Sequence, residues 1–489
     1  MQKALSYLLF LVLFLSCQEI KKETTYHYTI EPTEEDGMHA LSVSLDLEAD
    51  EQGIVRLNFQ DNRWGEDSLY RTLTGLESFP PALEIEAKPD SNMIFIRHKP
   101  NQKFTFTYKS IQDKGGIIMN HHTYRPIIQE TYFHTFGNRL FIYPYGSFDF
   151  DSSEVNFIFD WNVPEGYLIH NSFGTEKCQR LQLTQAELGS SIFVGGDFRR
   201  YTSVINGNDI HFVTRGDWIP FEEDKVNEVL NIAIRSHKDF WQDYTDSMFS
   251  VTMIPTNEKR GYSLGGTGLS QSFATFVSNN KYVEFWRVKY LYFHELLHNW
   301  IGHKIENRDE ELQYWFSEGF TDYYTYKLML RNGVISLKEY IKLMNEEVLR
   351  PHYGSPVREA RNDSITYEKF WSDRNYEKLP YRRGMIYAFH LDNLMKQNHE
   401  DKSLDDIMRE ILDRCHRLDD AKFDHNLFKD VLNKYLGPKA MASFEKYIVR
   451  GEILDLKISI PKGLKHNTKR GIPILSISDP EKIEKFLSR

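Results

Sequence analysis

The stretch Phe285 to Trp300, FWRVKYLYFHELLHNW, decides how this chain is read. Within it, His294-Glu295-Leu296-Leu297-His298 spells HExxH. At 3.6 residues per turn, His294 and His298 leave one helix face a turn apart, so both imidazoles can reach one metal ion. Glu295 sits about 100° round, beside the ion rather than on it, where it can take a proton from a water. A chain with 18 His and 70 acidic residues yields about 0.09 such matches by chance. The context therefore matters. Phe285, Val288 and Tyr292 are apolar at helical spacing, which buries the helix and disfavours two solvated surface histidines.

With nineteen residues between it and His298, Glu318 lies in Trp315-Phe316-Ser317-Glu318-Gly319-Phe320-Thr321-Asp322, which opens a second helix. A carboxylate brought in from a following helix completes two histidines and a glutamate with one position open, the coordination of a catalytic zinc. Asp322, one turn beyond Glu318, can accept the free N–H of a ligand histidine, or can be a charge on an exposed flank. His303 is the competing third ligand. Its spacing is one residue short of HExxHxxGxxH and no methionine turn is evident, so His303 is read as a loop residue or one that supports a ligand from behind.

Working outward, the hydrophobic period before residue 200 is two. Leu41, Val43, Leu45 and Leu47 alternate with polar residues, as do Phe104, Phe106 and Tyr108, which predicts an antiparallel β domain buried on one face. After Pro220 the period becomes helical, with Val226, Val229, Leu230, Ala233 and Ile234 on one stripe. Strand candidates follow at Phe249–Ile254 and Phe273–Val277, separated by Gly265-Gly266. From Val283 onward the pattern is nearly all helical. Ser403 with Asp406 predicts a capping box opening a helix whose apolar face runs from Leu404 to Cys415. The expected organisation is multidomain α+β. It comprises a signal (1–17), a tether (18–25), a β-sheet domain (26–200), a catalytic domain (201–345), a helical domain (346–456) and a tail (457–489).

Composition narrows the function classes. Sixty Lys+Arg against 70 Asp+Glu give a net charge of −10 without a basic block, which argues against nucleic-acid binding. Three cysteines cannot make a disulfide framework, and whether Cys178 and Cys415 pair is open. Lys3, the nine apolar residues Tyr7 to Leu15, and Ser16-Cys17 form an export signal too short to span a bilayer. A small residue directly before a cysteine resembles a bacterial lipoprotein signal, with an ordinary cleaved signal as the alternative. The expectation is an exported, envelope-bound protein lipid-anchored through Cys17, facing the periplasm or set in the outer membrane.

HELLHNW, WFSEGFTDYY and LPYRRGMIYAFHLDNLM (Leu379 to Met395) follow the helix, glutamate-helix and tyrosine-helix plan of the gluzincin metallopeptidases. With NGVISLKEYIKLM (Asn332 to Met344), SLDDIMREIL and FEKYIVRGEI, they resemble the glycyl aminopeptidases, metallopeptidase family sixty-one. The resemblance implies a thermolysin-like catalytic domain and one zinc ion on His294, His298 and Glu318. It also implies Glu295 as general base, Tyr381 as donor to the oxyanion, and a peptide or protein substrate. Two departures stand out. The 33 residues after Leu456 are too few for the family's PDZ domain. The strand in which these enzymes carry an amine-binding glutamate reads Gly265-Gly266-Thr267-Gly268-Leu269 here, without an acid. Its glycines still suit an edge that pairs with an extended peptide. An aminopeptidase, an endopeptidase and a noncatalytic peptide-binding lipoprotein therefore stay open. Oligomeric state and residue preference are not legible.

Overall fold

A computed structural model describes residues 25–114, 122–144, 153–245, 248–418 and 421–487. The signal and almost all of the tether, with Cys17, lie outside the described residues. Among those described, no helix is long and apolar enough to cross a membrane.

The alternating segment forms sheets, as its period demands. A six-stranded sheet has the order 178–183, 155–161, 25–35, 38–48, 103–111, 73–79. Its pairings are antiparallel except one: Thr25–Ile30 runs parallel to Asn156–Trp161. That parallel pair is invisible to periodicity, because it joins segments about 130 residues apart. Tyr28, Leu41, Val43, Leu45, Phe106 and Phe159 are fully buried on the inner face. Another sheet has the order 168–171, 192–196, 132–136, 127–128. Its Phe136, Ile192 and Val194 share a core with Val213, Ile254 and Phe276 of the five-stranded sheet that follows.

A five-stranded sheet has the order 199–205, 208–214, 248–256, 272–278, 264–269. The glycine-rich strand Leu264–Leu269 lies at its edge, antiparallel to Ser272–Ser278, with one side unpaired. The helix Glu223–Trp241 buries the predicted stripe of Val226, Val229, Leu230, Ala233 and Ile234. One continuous apolar core then runs from Ile205 to Leu487, so the segments read from sequence as catalytic and helical domains pack as one body. Ser403 and Asp406 form the expected capping box, and Leu404, Ile407, Met408, Ile411 and Leu412 are buried. Cys415 is buried as expected and Cys178 exposed, and both are free thiols.

The stretch 457–489 departs from a tail. It folds into the hairpin 464–469/472–477 and the helix Pro480–Leu487, which send Leu475, Ile483 and Leu487 into the main core. Asn345 clasps the hairpin, its amide bonding both the N–H and the carbonyl of Leu475 at 2.8 and 2.9 Å.

Three helices carry the site: the HExxH helix Phe285–Glu295, the glutamate helix Gly319–Arg331 and the tyrosine helix Arg374–Asn398. The last two cross backbone against backbone at glycines. A Cβ at Gly384 would sit 1.8 Å from the Trp315 carbonyl oxygen, and one at Gly319 would sit 2.5 Å from the Gly384 Cα. Below the crossing, buried Lys327 binds Asp392 at 3.1 Å and Asp405 at 2.7 Å, and Lys396 binds Asp392 at 2.9 Å. Burial opposes ionisation of Asp392, yet these lysines hold it well below the usual carboxylate range. Gly384→Ala should force the helices apart and cost about 1–3 kcal/mol. The urea midpoint should fall accordingly, while Gly354→Ala, with nothing within 4 Å of the new methyl, should change it far less.

Candidate active site

His294 ends the HExxH helix, and the chain then tightens into a 3₁₀ turn, Leu296–Asn299, that carries His298. The predicted i, i+4 pair thus spans a change of helix type, yet the two histidines still converge. The His294 and His298 Nε2 atoms lie 3.2 Å apart. Each ring has its other nitrogen occupied by an acceptor. His294 Nδ1 meets Asp322 Oδ1 at 2.9 Å, and His298 Nδ1 meets the Ile301 carbonyl at 3.0 Å. Neither acceptor carries a proton to give, so each Nδ1 is the donor and each Nε2 is left to face the shared space.

Glu318 closes that space. It stands at the junction of Glu310–Ser317 and Gly319–Arg331. Its Oε2 lies 3.3 Å from His294 Nε2 and 3.8 Å from His298 Nε2, buried and without a hydrogen bond. The three donor atoms fall within 4.8 Å of one another. Two nitrogens each about 2.0–2.1 Å from a tetrahedral ion would be about 3.3–3.4 Å apart, close to the observed separation. Two imidazole lone pairs and an orphaned carboxylate oxygen aimed at one point are a donor set that fits a divalent cation.

The electrostatics agree. Burial works against a charged His294, but the carboxylates of Asp322 and Glu318 outweigh it and push the imidazole up to about 10. Burial opposes ionisation of Glu318 as well, yet His298 and His294 hold it down to about 2. Without a metal, a proton on His294 stands where a cation would, so metal binding must displace it.

Tyr381 projects from the tyrosine helix so that its ring stacks on His294, centroids 6.0 Å apart at 15°. Phe370 backs it from the other side at 6.4 Å. Burial first, then the carboxylates of Glu318 and Asp322, keep its phenol protonated far above the ordinary tyrosine range. It is therefore a permanent donor. Glu295 is half-buried at the end of its helix, and its charge is felt by both Tyr381 and Tyr124.

Gly266 must be glycine: a Cβ there would meet Phe273 at 2.5 Å and the Ala274 carbonyl at 2.6 Å. Gly265 and Gly268 face open space, and Thr267 lies between them, partly exposed. His303 is exposed on the following turn and lies outside the donor cluster. Two residues the sequence did not single out belong to the site. Tyr290 donates to Asp322 and lies 3.3 Å from His294 Nδ1. Its place one helical turn before His294 was the available signal. Tyr124, from the β domain, donates to the Gly266 carbonyl at 3.2 Å. No local pattern could have marked it.

The site is a cluster of two histidines and a carboxylate set in a mixed α+β fold. Residues 282–387 match the family described as M61 glycyl aminopeptidase, and over that segment the chain is similar to it. Leucine aminopeptidase 2 of Aspergillus fumigatus is 27% identical over 112 residues, 22% of this chain and 17% of that protein. Leucine aminopeptidase 2 of Neosartorya fischeri is 24% identical over 111 residues, 22% and 18% of the two chains. The chain thus spans under a fifth of the length of the curated relatives it matches. The fold is shared more widely. An aminopeptidase N family protein from Idiomarina loihiensis superposes with a TM-score of 0.70 at 16% identity, over 91% of this chain and 79% of that one.

The geometry predicts one divalent ion per chain. Asp322→Ala should weaken zinc binding about 10–100-fold, because His294 loses the acceptor that fixes its orientation. Competition against a chromophoric chelator reads this directly, and unchanged affinity would remove Asp322 from the site.

Proposed function

We propose that this protein is a zinc metallopeptidase that hydrolyses peptide bonds and acts as an aminopeptidase. The observation that carries the reading is the convergence of His294 Nε2, His298 Nε2 and the orphaned Glu318 Oε2, with Tyr381 stacked on His294 and Glu295 next to it in the chain.

His294, His298 and Glu318 would hold one zinc ion, with Asp322 fixing the first of them. When bound, zinc supplies a Lewis acid and lowers the pKa of water from near 16 to about 7. Glu295 removes a proton from the attacking water and returns it to the leaving amine. Tyr381 donates its O–H to the carbonyl oxygen as negative charge develops there. The open side of Leu264–Leu269 offers backbone groups to an extended peptide, which holds the scissile bond in line. Tyr124 fixes the Gly266 carbonyl and joins the β domain to this cleft.

The absence of an acid at exposed Gly268 favours a second reading, an endopeptidase, since nothing on that strand would receive a substrate ammonium. A peptide library in free and N-acetylated forms separates the two. Stepwise loss of N-terminal residues from free peptides alone supports the aminopeptidase. Internal cuts in both forms support the endopeptidase, and no cleavage by the zinc-loaded protein leaves a peptide-binding scaffold. Glu295→Gln should retain zinc and lose about 10²–10⁴ in turnover. Tyr381→Phe should lower kcat by about 10²–10³ with little change in KM, because its bond strengthens only in the transition state.

Export and acylation at Cys17 complete the proposal. Cys17→Ser should move the protein from the membrane fraction to the soluble fraction of the envelope. An unchanged membrane fraction would point to another mode of attachment.

A further inference from the structure

The hairpin 464–469/472–477 does more than fill the core. Between it and the helical stretch 337–354 runs a groove of about 660 Å³, within the size range of sites that hold a ligand. One wall carries Lys338, Lys342, Glu346 and Arg350, which recur every four residues along that stretch and line the groove together. The other wall ends in Lys469 and Arg470 at the hairpin turn. Five exposed cations therefore share the groove with one carboxylate, on a chain whose net charge is −10. Lys342 reaches Glu346 only at 3.9 Å, between side chains 68% and 44% exposed, where solvent screens the pair. Among the described residues, Lys338, Arg350, Lys469 and Arg470 meet no carboxylate within ion-pair distance.

The floor is apolar. Ile341 is buried beneath it, while Ile472 and Ile474 are only half-buried and line it. Another strand cannot simply add to the hairpin here. Pro473 has no N–H to donate, and the outward-facing N–H and carbonyl of Leu475 are both taken by the Asn345 amide. An occupant is thus held by its side chains rather than by its backbone.

Like charges gathered around one space repel each other, and an anion entering that space relieves them. A peptide bearing several carboxylates matches both walls, and apolar side chains between them cover the isoleucines. A flat bilayer would meet the rim and leave the recessed floor uncovered. None of the described residues that line the groove is an aromatic of the kind that anchors at a membrane surface.

We propose that this groove is a docking site for an acidic peptide segment of a partner polypeptide. The segment's carboxylates lie along the two cationic walls and its apolar side chains rest on Ile341, Ile472 and Ile474. The proposal stands apart from the peptidase reading, because it uses no residue of the metal cluster.

The probe is an N-acetylated peptide, Glu-Leu-Glu-Glu-Ile-Glu-Glu-Leu, labelled with a fluorophore at its C-terminal end and read by anisotropy. Two comparison peptides carry Gln for every Glu, or Ser for Leu and Ile. The zinc-loaded Glu295→Gln protein keeps the peptide intact. Its dissociation constant for the acidic apolar peptide should be at least about tenfold lower than for either comparison peptide, and should rise with salt. Lys338→Glu and Lys469→Glu should each weaken binding about tenfold. Ile474→Asp should weaken it as well, whereas Lys103→Glu, exposed on a strand of the β domain, should leave it unchanged. Equal affinity for the acidic and Gln peptides, or binding insensitive to both lysine reversals, overturns the proposal. Vesicles of phosphatidylglycerol and sedimentation of the protein alone complete the test. If the lysine reversals release the protein from vesicles or dissociate a dimer while no peptide binds, the occupant is an anionic lipid surface or a second copy of this chain, and the proposal fails.

Discussion

The site depends on how closely two helices approach. Gly319 and Gly384 let the glutamate helix and the tyrosine helix touch along their backbones, at a distance no side chain would permit. That contact brings Tyr381 onto the ring of His294 and within reach of Glu318. The buried network of Lys327, Lys396, Asp392 and Asp405 then fixes the same helices from below. Each of its carboxylates meets two cations, Asp392 meeting Lys327 and Lys396 and Asp405 meeting Lys327 and Arg331, so the contacts fix the helices relative to one another. The position of Tyr381 relative to the histidines follows from this crossing.

A second constraint is electrostatic. Two imidazoles and a carboxylate share one small space, and each histidine has its far nitrogen tied to an acceptor. The arrangement leaves three donors with no partner but each other, which a cation resolves. Tyr290, Tyr381 and Tyr124 all have phenols kept protonated by burial and neighbouring carboxylates, so the wall of the cleft donates hydrogen bonds and accepts no protons. In the mechanism proposed above, proton transfer is left to Glu295.

Much of this was legible in the chain itself. HExxH, the following Glu318 and the helical stripes are short-range patterns, and the structure keeps each of them. The capping box at Ser403 and the buried face beyond it also survive intact. Where the reading differed, distance along the chain was the cause. The parallel pairing of Thr25–Ile30 with Asn156–Trp161 joins remote segments, and the hairpin and helix after Leu456 are stable only because the main core accepts Leu475, Ile483 and Leu487. Neither leaves a local trace.

The sequence by itself determined the donor types, their spacing, and the glycine edge without an acid, because these depend on residue identity within a few turns. The tertiary structure alone decided that Glu318 points its free oxygen at both histidines, and that Tyr124 of the β domain braces the edge strand. These are contacts between segments far apart in sequence. They are set by which helix faces pack, and periodicity reports that a face is buried without saying what it is buried against.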